Sequence, residues 1–89
     1  MIDVRLEGEK MTDEYEAQRH IKKRMDFADD YGMTPDALWD AVVAIDEPTA
    51  VALYDKEIML DNLGDYGYEL IDVFEDATKT NHDLIFESF

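Results

Sequence analysis

Two hydrophobic periods take turns along this chain, and their order predicts its elements. At the amino terminus Ile2, Val4 and Leu6 alternate with Asp3, Arg5 and Glu7 before Gly8, which predicts a strand over residues 1–6 with one buried face and a turn after it. From Thr12 to about Met25 the spacing becomes helical: Tyr15, Ala17, Ile21 and Met25 share one side, and Asp13 and Glu16 stand at capping-box spacing. Lys22, Lys23 and Arg24 close this segment, where cations complement the negative end of the helix dipole; we read them as structural and not as a nucleic-acid patch. Residues 27–33 have no period and include Gly32, so they form a loop. A helix signal follows at once. Thr34 can cap it, Pro35 suits its first position, and Asp36 places a negative charge beside the free amides of its first turn. Leu38, Ala41, Val42 and Ile45 form the expected buried stripe, while Asp36, Asp40 and Val43 share another side, so two carboxylates project from one helical face near its start.

Pro48 ends this region, and residues 49–54 read as a second strand, so nearly continuous in apolar character that a sheet covered on both faces is expected. A short helix from about Lys56 to Leu63 should stop at Gly64. A longer one follows from about Tyr68 to Lys79, with Leu70, Ile71, Phe74 and Ala77 inward and Asp72, Asp76 and Thr80 outward. After a turn at Asn81 and His82, Leu84, Ile85 and Phe86 make a third strand. Helices separate all the strands, which predicts an α/β fold: a small three-stranded parallel sheet packed against about four helices, with right-handed crossovers. No repeat or linker interrupts the 89 residues, so residues 1–89 are expected to form a single domain around one core.

Composition narrows the function. Cysteine is absent, which excludes disulfides, thiolate metal sites and a cysteine nucleophile and suits a cytoplasmic protein. The first ten residues lack a signal-peptide core, and no apolar run is long enough to span a bilayer. With 23 Asp and Glu against 8 Lys and Arg, the net charge of −15 opposes binding to nucleic acid or an anionic membrane and favours a basic partner; the plainer alternative is that the charge serves solubility. His20 and His82 lack metal-ligand spacing, and the acidic segment from Asp61 to Glu69 does not put oxygen ligands where a calcium loop needs them. There is also no glycine-rich phosphate loop and no paired nucleophile and base. The expectation is a binding protein with no catalytic residue, no metal and no cofactor.

One stretch is more specific. The run Asp30-Tyr31-Gly32-Met33-Thr34-Pro35-Asp36-Ala37-Leu38-Trp39-Asp40 resembles the barstar family of intracellular ribonuclease inhibitors, in which a tyrosine-glycine loop runs into a helix that begins Asp-Ala-Leu-Trp-Asp. The register continues from Gly8 through Pro48 and, after a short deletion, through Val73, Phe74, Ala77 and Asp83, so the resemblance covers nearly the whole chain. It implies the same order of strands and helices. It also implies an inhibitory surface of Asp30, Tyr31, Gly32, Thr34, Asp36, Trp39, Asp40, Val43, Ala44 and Asp76. Within it Asp40 would enter the nuclease's phosphate site and pair with its catalytic cations, with Asp36 and Asp76 at its flanks. The implied partner is a basic extracellular or toxin ribonuclease, held in a one-to-one complex by an inhibitor that is monomeric when free. The chemistry is sound on its own terms, because a ribonuclease presents Arg, Lys and His to a phosphodiester and clustered carboxylates can occupy the same positions. Three departures, Asp30 for a tyrosine, Ile45 for a tryptophan and Thr80 for an acidic residue, leave open a module of the same fold with a partner that is not a ribonuclease. For Asp36 and Asp40 the plainer alternative is a cap and a solvated charge; Trp39 is expected to be partly buried with one edge at the surface.

Overall fold

The alternating amino-terminal segment is strand β1 (Ile2–Glu7), which passes through a short 3-10 turn (Gly8–Lys10) into α1 (Glu14–Met25). The computed structural model describes residues 1–89 and continues with α2 (Pro35–Val43), β2 (Thr49–Tyr54), α3 (Lys56–Leu63), α4 (Asp65–Thr80) and β3 (Leu84–Ser88). The strands form one sheet in the order β1-β2-β3 with both pairings parallel, Val4 standing opposite Val51 and Val51 opposite Phe86. A parallel pair needs a long crossover, and each crossover here carries two α-helices, as the alternation of periods predicts.

Local chemistry sets the element ends. The Asp13 carboxylate accepts the Glu16 amide at 2.8 Å and caps α1, which stops where Asp26 takes a left-handed conformation (φ 58°) and returns its amide to the Lys22 and Lys23 carbonyls. α3 stops at Gly64 as expected, but α4 begins at Asp65, three residues before the predicted Tyr68. The cause is Gly64 itself. At φ 59° it ends α3 by donating to the Leu60 carbonyl, and its own carbonyl accepts from Gly67 and Tyr68, so one residue serves both helices and no linker is needed.

The core is one cluster fed by every strand and α-helix: Leu6, Val51 and Leu84 from the sheet, Ile21 from α1, Leu38 and Val42 from α2, Met59 from α3, and Leu70, Phe74 and Ala77 from α4. Phe74 stacks on Phe86 of β3 with ring centroids 4.9 Å apart, and no buried side-chain nitrogen or oxygen lacks a hydrogen-bond partner.

The expectation of a sheet covered on both faces is wrong. Thr49, Val51 and Leu53 of β2 point into the core, but the opposite face carries exposed Asp3, Arg5, Ile85 and Glu87 around the half-buried Ala50, Ala52 and Tyr54. Neighbouring strands' side chains supply that partial cover: the Arg5 guanidinium lies 3.9 Å above the Tyr54 ring, and Tyr54 stacks on Phe89 at 5.2 Å. Two small alanines made the strand look more buried than it is.

Beyond its pairing with β2, two contacts fix the end of β1. A Cβ on Gly8 would lie 2.2 Å from the Asp55 carbonyl oxygen and 2.8 Å from that of Tyr54, so only glycine lets the end of β1 approach the junction of β2 and α3. We expect Gly8→Ala to cost about 3 kcal/mol, because the obstruction is backbone that cannot swing aside; the measurement is the urea midpoint, and an unchanged midpoint would refute it. The buried His20 of α1 accepts the Glu7 amide on Nε2 at 2.9 Å. Burial pushes its imidazole below the ordinary 6.5, and the nearby Arg24 charge adds to the effect. As the pH falls below 6.5 the unfolded chain takes up a proton that the folded one resists, so the stability His20 contributes is complete above 6.5 and declines beneath it. Urea midpoints should therefore fall between pH 6.5 and about pH 5, above most carboxylate titration, and His20→Gln should flatten that slope.

Candidate carboxylate-bearing docking site

α2 starts where its sequence says it should. Thr34 Oγ1 accepts the Ala37 amide at 3.1 Å, Pro35 occupies the first turn without a lost donor, and Asp36 stands there as the acidic residue. Leu38 and Val42 are completely buried and fix which side of the helix faces inward. Asp36 and Asp40, one turn apart on another side, are therefore held in solvent. The predicted stripe is partly corrected: Ala41 is half-exposed, and the helix ends at Val43, so Ile45 meets the core from beyond it. Trp39 and Val43 are half-buried against the edge of the core, the position expected for Trp39, and Ala44 is exposed as the last cap residue.

The preceding loop is anchored from within. Tyr31 rests on Phe27 at 4.8 Å between ring centroids, and its hydroxyl donates to Gln18 Oε1 at 2.6 Å. Gln18, itself buried in α1, donates from Nε2 to the Tyr66 hydroxyl of α4 at 2.9 Å. Burial pushes the Tyr31 phenol far above its usual range, so it stays protonated and serves as the donor of this chain. The expected contact residue Tyr31 thus has an inward-bonded hydroxyl and a ring partly open to solvent, whereas Asp30 and Gly32 are exposed. The left-handed conformation of the loop falls on Met33 (φ 58°), not on Gly32.

The far end of α2 depends on a residue whose role was not visible in the sequence. Asn81, just past α4, donates from Nδ2 to the carbonyls of Val42, Val43 and Ile45 at 3.0, 3.3 and 2.9 Å, while its Oδ1 accepts the Asp83 amide at 2.9 Å. Val42 and Val43 are in the last turn, whose carbonyls have no amide one turn on to accept; the Val42 carbonyl also receives the Ile45 amide, at 3.4 Å, and Ile45 lies in the turn just beyond. Asn81 therefore caps α2 from α4's side, more than 35 residues away in sequence. Gln18 and Tyr66 were missed for the same reason, although a glutamine on the apolar side of α1 was a signal.

The electrostatics are one-sided. No Lys, Arg or His of the chain pairs with Asp30, Asp36 or Asp40. Asp76, exposed on α4, has only the exposed Lys79 beside it at 3.7 Å, a contact that solvent screens heavily. No group of three or more His, Asp or Glu side chains could hold a metal ion, and no helix is long and apolar enough to cross a membrane. What the face offers is unneutralised carboxylates on a rigid support, with half-buried apolar side chains beside them.

Fold and face together define a small acidic α/β protein of the binding type. The family model described as Barstar (barnase inhibitor) matches residues 1–87, and the chain belongs to that family, whose members are inhibitors and not enzymes. A protein of Bacillus subtilis (strain 168) named "Putative ribonuclease inhibitor YrdF" is 33% identical over 60 residues, a match covering 66% of this chain and 66% of that protein. The chain thus spans about two thirds of that relative's length.

Asn81→Ala removes at once a side-chain donor to the Val42 and Val43 carbonyls of α2 and to the Ile45 carbonyl just beyond it. We expect a loss of about 2 kcal/mol in urea denaturation, with faster amide exchange confined first to the end of α2. A variant with parental stability and exchange would show that water replaces the cap at no cost.

Proposed function

We propose that this protein is a cytoplasmic inhibitor of a basic microbial ribonuclease, folded as one domain over residues 1–89 and binding its target one to one. In this reading it acts as an immunity protein or antitoxin against a secreted or toxin nuclease. The observation that carries the proposal is the pair Asp36 and Asp40, exposed and without an intramolecular cation on a helix whose opposite side is completely buried. Family membership and the name of the Bacillus relative support the same reading.

Mechanistically, the carboxylates stand in for substrate phosphates. Asp40 occupies the position where a scissile phosphate would sit, among the Arg, Lys and His side chains that a ribonuclease must display. Asp36 and Asp76 pair with cations around it, and Tyr31, Gly32, Thr34, Trp39, Val43 and Ala44 exclude water at the edge. Asp30, also in the loop, adds charge to the rim. A prefolded α2 lets this happen without an ordering cost at the moment of binding.

The test compares Asp40→Ala with Glu47→Ala, both exposed carboxylates, for thermal stability and for binding to the cognate nuclease. Asp40→Ala should leave stability within about 0.5 kcal/mol of the parent, since its side chain lies outside the core and alanine favours helix. Binding should weaken by about 3 kcal/mol, roughly a hundredfold and mostly as faster dissociation, because the partner's cations are left desolvated and unpaired. Glu47→Ala should change binding far less. Equal binding by both variants would remove Asp40 from the contact surface, and a partner captured from the native host that lacks nuclease activity would replace ribonuclease inhibition with the second reading.

A further inference from the structure

Half of the chain's cations converge on one cleft. Lys10, Arg19, Lys23 and Arg24 are four of only 8 Lys and Arg in a protein of net charge −15, and they line a cleft of about 340 Å³ between the 3-10 turn and α1. Thr12, Glu16 and His20 complete the lining, and no hydrophobic side chain takes part. Carboxylates offset part of the charge. Glu7 pairs with Lys10 at 3.1 Å and with Arg24 at 2.7 Å, and Glu16 pairs with Arg19 at 3.4 Å, while Lys23 has no carboxylate partner. Lys22, the remaining cation of the cluster at the end of α1, lies outside the cleft and donates to the Asp29 carbonyl.

His20 adds a directed donor. Its side chain belongs to a residue only 9% exposed, and its Nε2 accepts the Glu7 amide, so the neutral ring carries its proton on Nδ1. Nδ1 has no partner in the protein, yet no fully buried side-chain nitrogen goes unpaired; this N–H is therefore in contact with solvent, and the cleft is the opening that His20 lines. A nearly buried ring with one nitrogen held by β1 and the other open to a cationic cleft is arranged to receive an acceptor.

We infer that this cleft is an oxyanion site that takes a phosphoryl group. The Nδ1–H of His20 and the Thr12 hydroxyl supply neutral donors, and Lys10, Arg19, Lys23 and Arg24 supply charge-assisted ones from several directions, which suits a tetrahedral dianion. The lack of any apolar lining leaves nothing to grip an organic body, so recognition rests on the anionic group itself. The site shares no residue with α2 or its loop and stands independently of ribonuclease inhibition. The charged groups around His20 and its cleft are Lys10 from the 3-10 turn and Arg19, Lys23 and Arg24 from α1 against Glu7 from β1 and Glu16 from α1; four cations against two carboxylates favour an anion beside the neutral ring.

The test is a titration of isotope-labelled full-length protein with inorganic phosphate at slightly alkaline pH, with ionic strength held constant by sodium chloride. The His20 ring signals should shift and saturate at millimolar phosphate, while those of the exposed His82 stay fixed as an internal control. A nucleoside 5′-monophosphate is titrated separately: tighter binding than phosphate assigns the site to phosphomonoesters, and equal or weaker binding assigns it to the free ion. The double variant Arg19→Gln with Lys23→Gln removes two exposed cations and should keep the parental melting temperature while weakening phosphate binding about tenfold or more. A His20 response no larger than that of His82, or a double variant that binds phosphate like the parent, overturns the assignment.

Discussion

Helix α2 is nine residues long, too short to persist in water on its own, so everything its carboxylates can do depends on what holds it in place. Burial of Leu38 and Val42 supplies the adhesion, but an apolar stripe alone leaves a helix free to slide or rotate. The ends remove that freedom. Thr34 closes the first turn from inside the helix, and Asn81 closes the last from outside, through three carbonyls and an amide that ties its own oxygen back to Asp83. The second cap reaches further than the first. It refers the position of Asp36 and Asp40 to α4, the helix that carries Asp76, so the two acidic elements share one frame instead of meeting by chance of packing.

That frame also bears an electrostatic load. A chain with 23 acidic and 8 basic side chains repels itself when compact, and the repulsion is least where cations stand among the carboxylates. Here they do not mix evenly. Glu7 draws Arg5, Lys10 and Arg24 to the β1 edge of the molecule, and α1 carries Arg19, Lys22 and Lys23 nearby, so six of the eight cations belong to β1, the 3-10 turn and α1. α2 has none. Keeping α2 free of cations leaves repulsion unrelieved there, so a positive charge brought from outside would be attracted to its surface.

Most of the fold was legible because local rules and tertiary packing agree. β2 and α3 begin and end where their patterns say, and the start of α2 follows from Thr34, Pro35 and Asp36 alone. Misreadings arose where pattern and packing diverge. The apolar stripe of α4 begins near Tyr68, but its helix begins at Asp65 and takes in Gly67, where a Cβ would press on Leu60 at 3.0 Å, so the first turn of α4 is set by packing on α3 and not by the stripe. Ala50 and Ala52 looked buried because they are apolar, but small residues on an open face need only their neighbours for cover. Of the site, the exposed Asp36 and Asp40 were legible from helical geometry, and the half-buried Trp39 from its place beside the stripe. Asn81, Gln18 and Tyr66 were not, since a polar side chain's distant partner leaves no periodic trace.

Gln18 shows why such residues matter to a surface they never reach. Its amide is the only polar link from α1 to both Tyr31 in the loop and Tyr66 in α4, and both oxygen and nitrogen ends are used. A buried amide with two satisfied ends is directional in a way that apolar packing is not: the oxygen must face the Tyr31 donor and the nitrogen the Tyr66 acceptor, so the ring of Tyr31 has one favoured orientation. The loop from Phe27 to Thr34 contains no helix or strand; its other ties include the Phe27 ring contact, the Phe27 amide to the Lys22 carbonyl, the Tyr31 amide to the Ala28 carbonyl and the Lys22 ammonium to the Asp29 carbonyl, and none of these sets the Tyr31 hydroxyl. Loops that bind partners lose affinity when they must be ordered on contact. For the contact surface proposed above, that ordering would be done in advance from the core outward, with Asp30 and Gly32 exposed just before the start of α2.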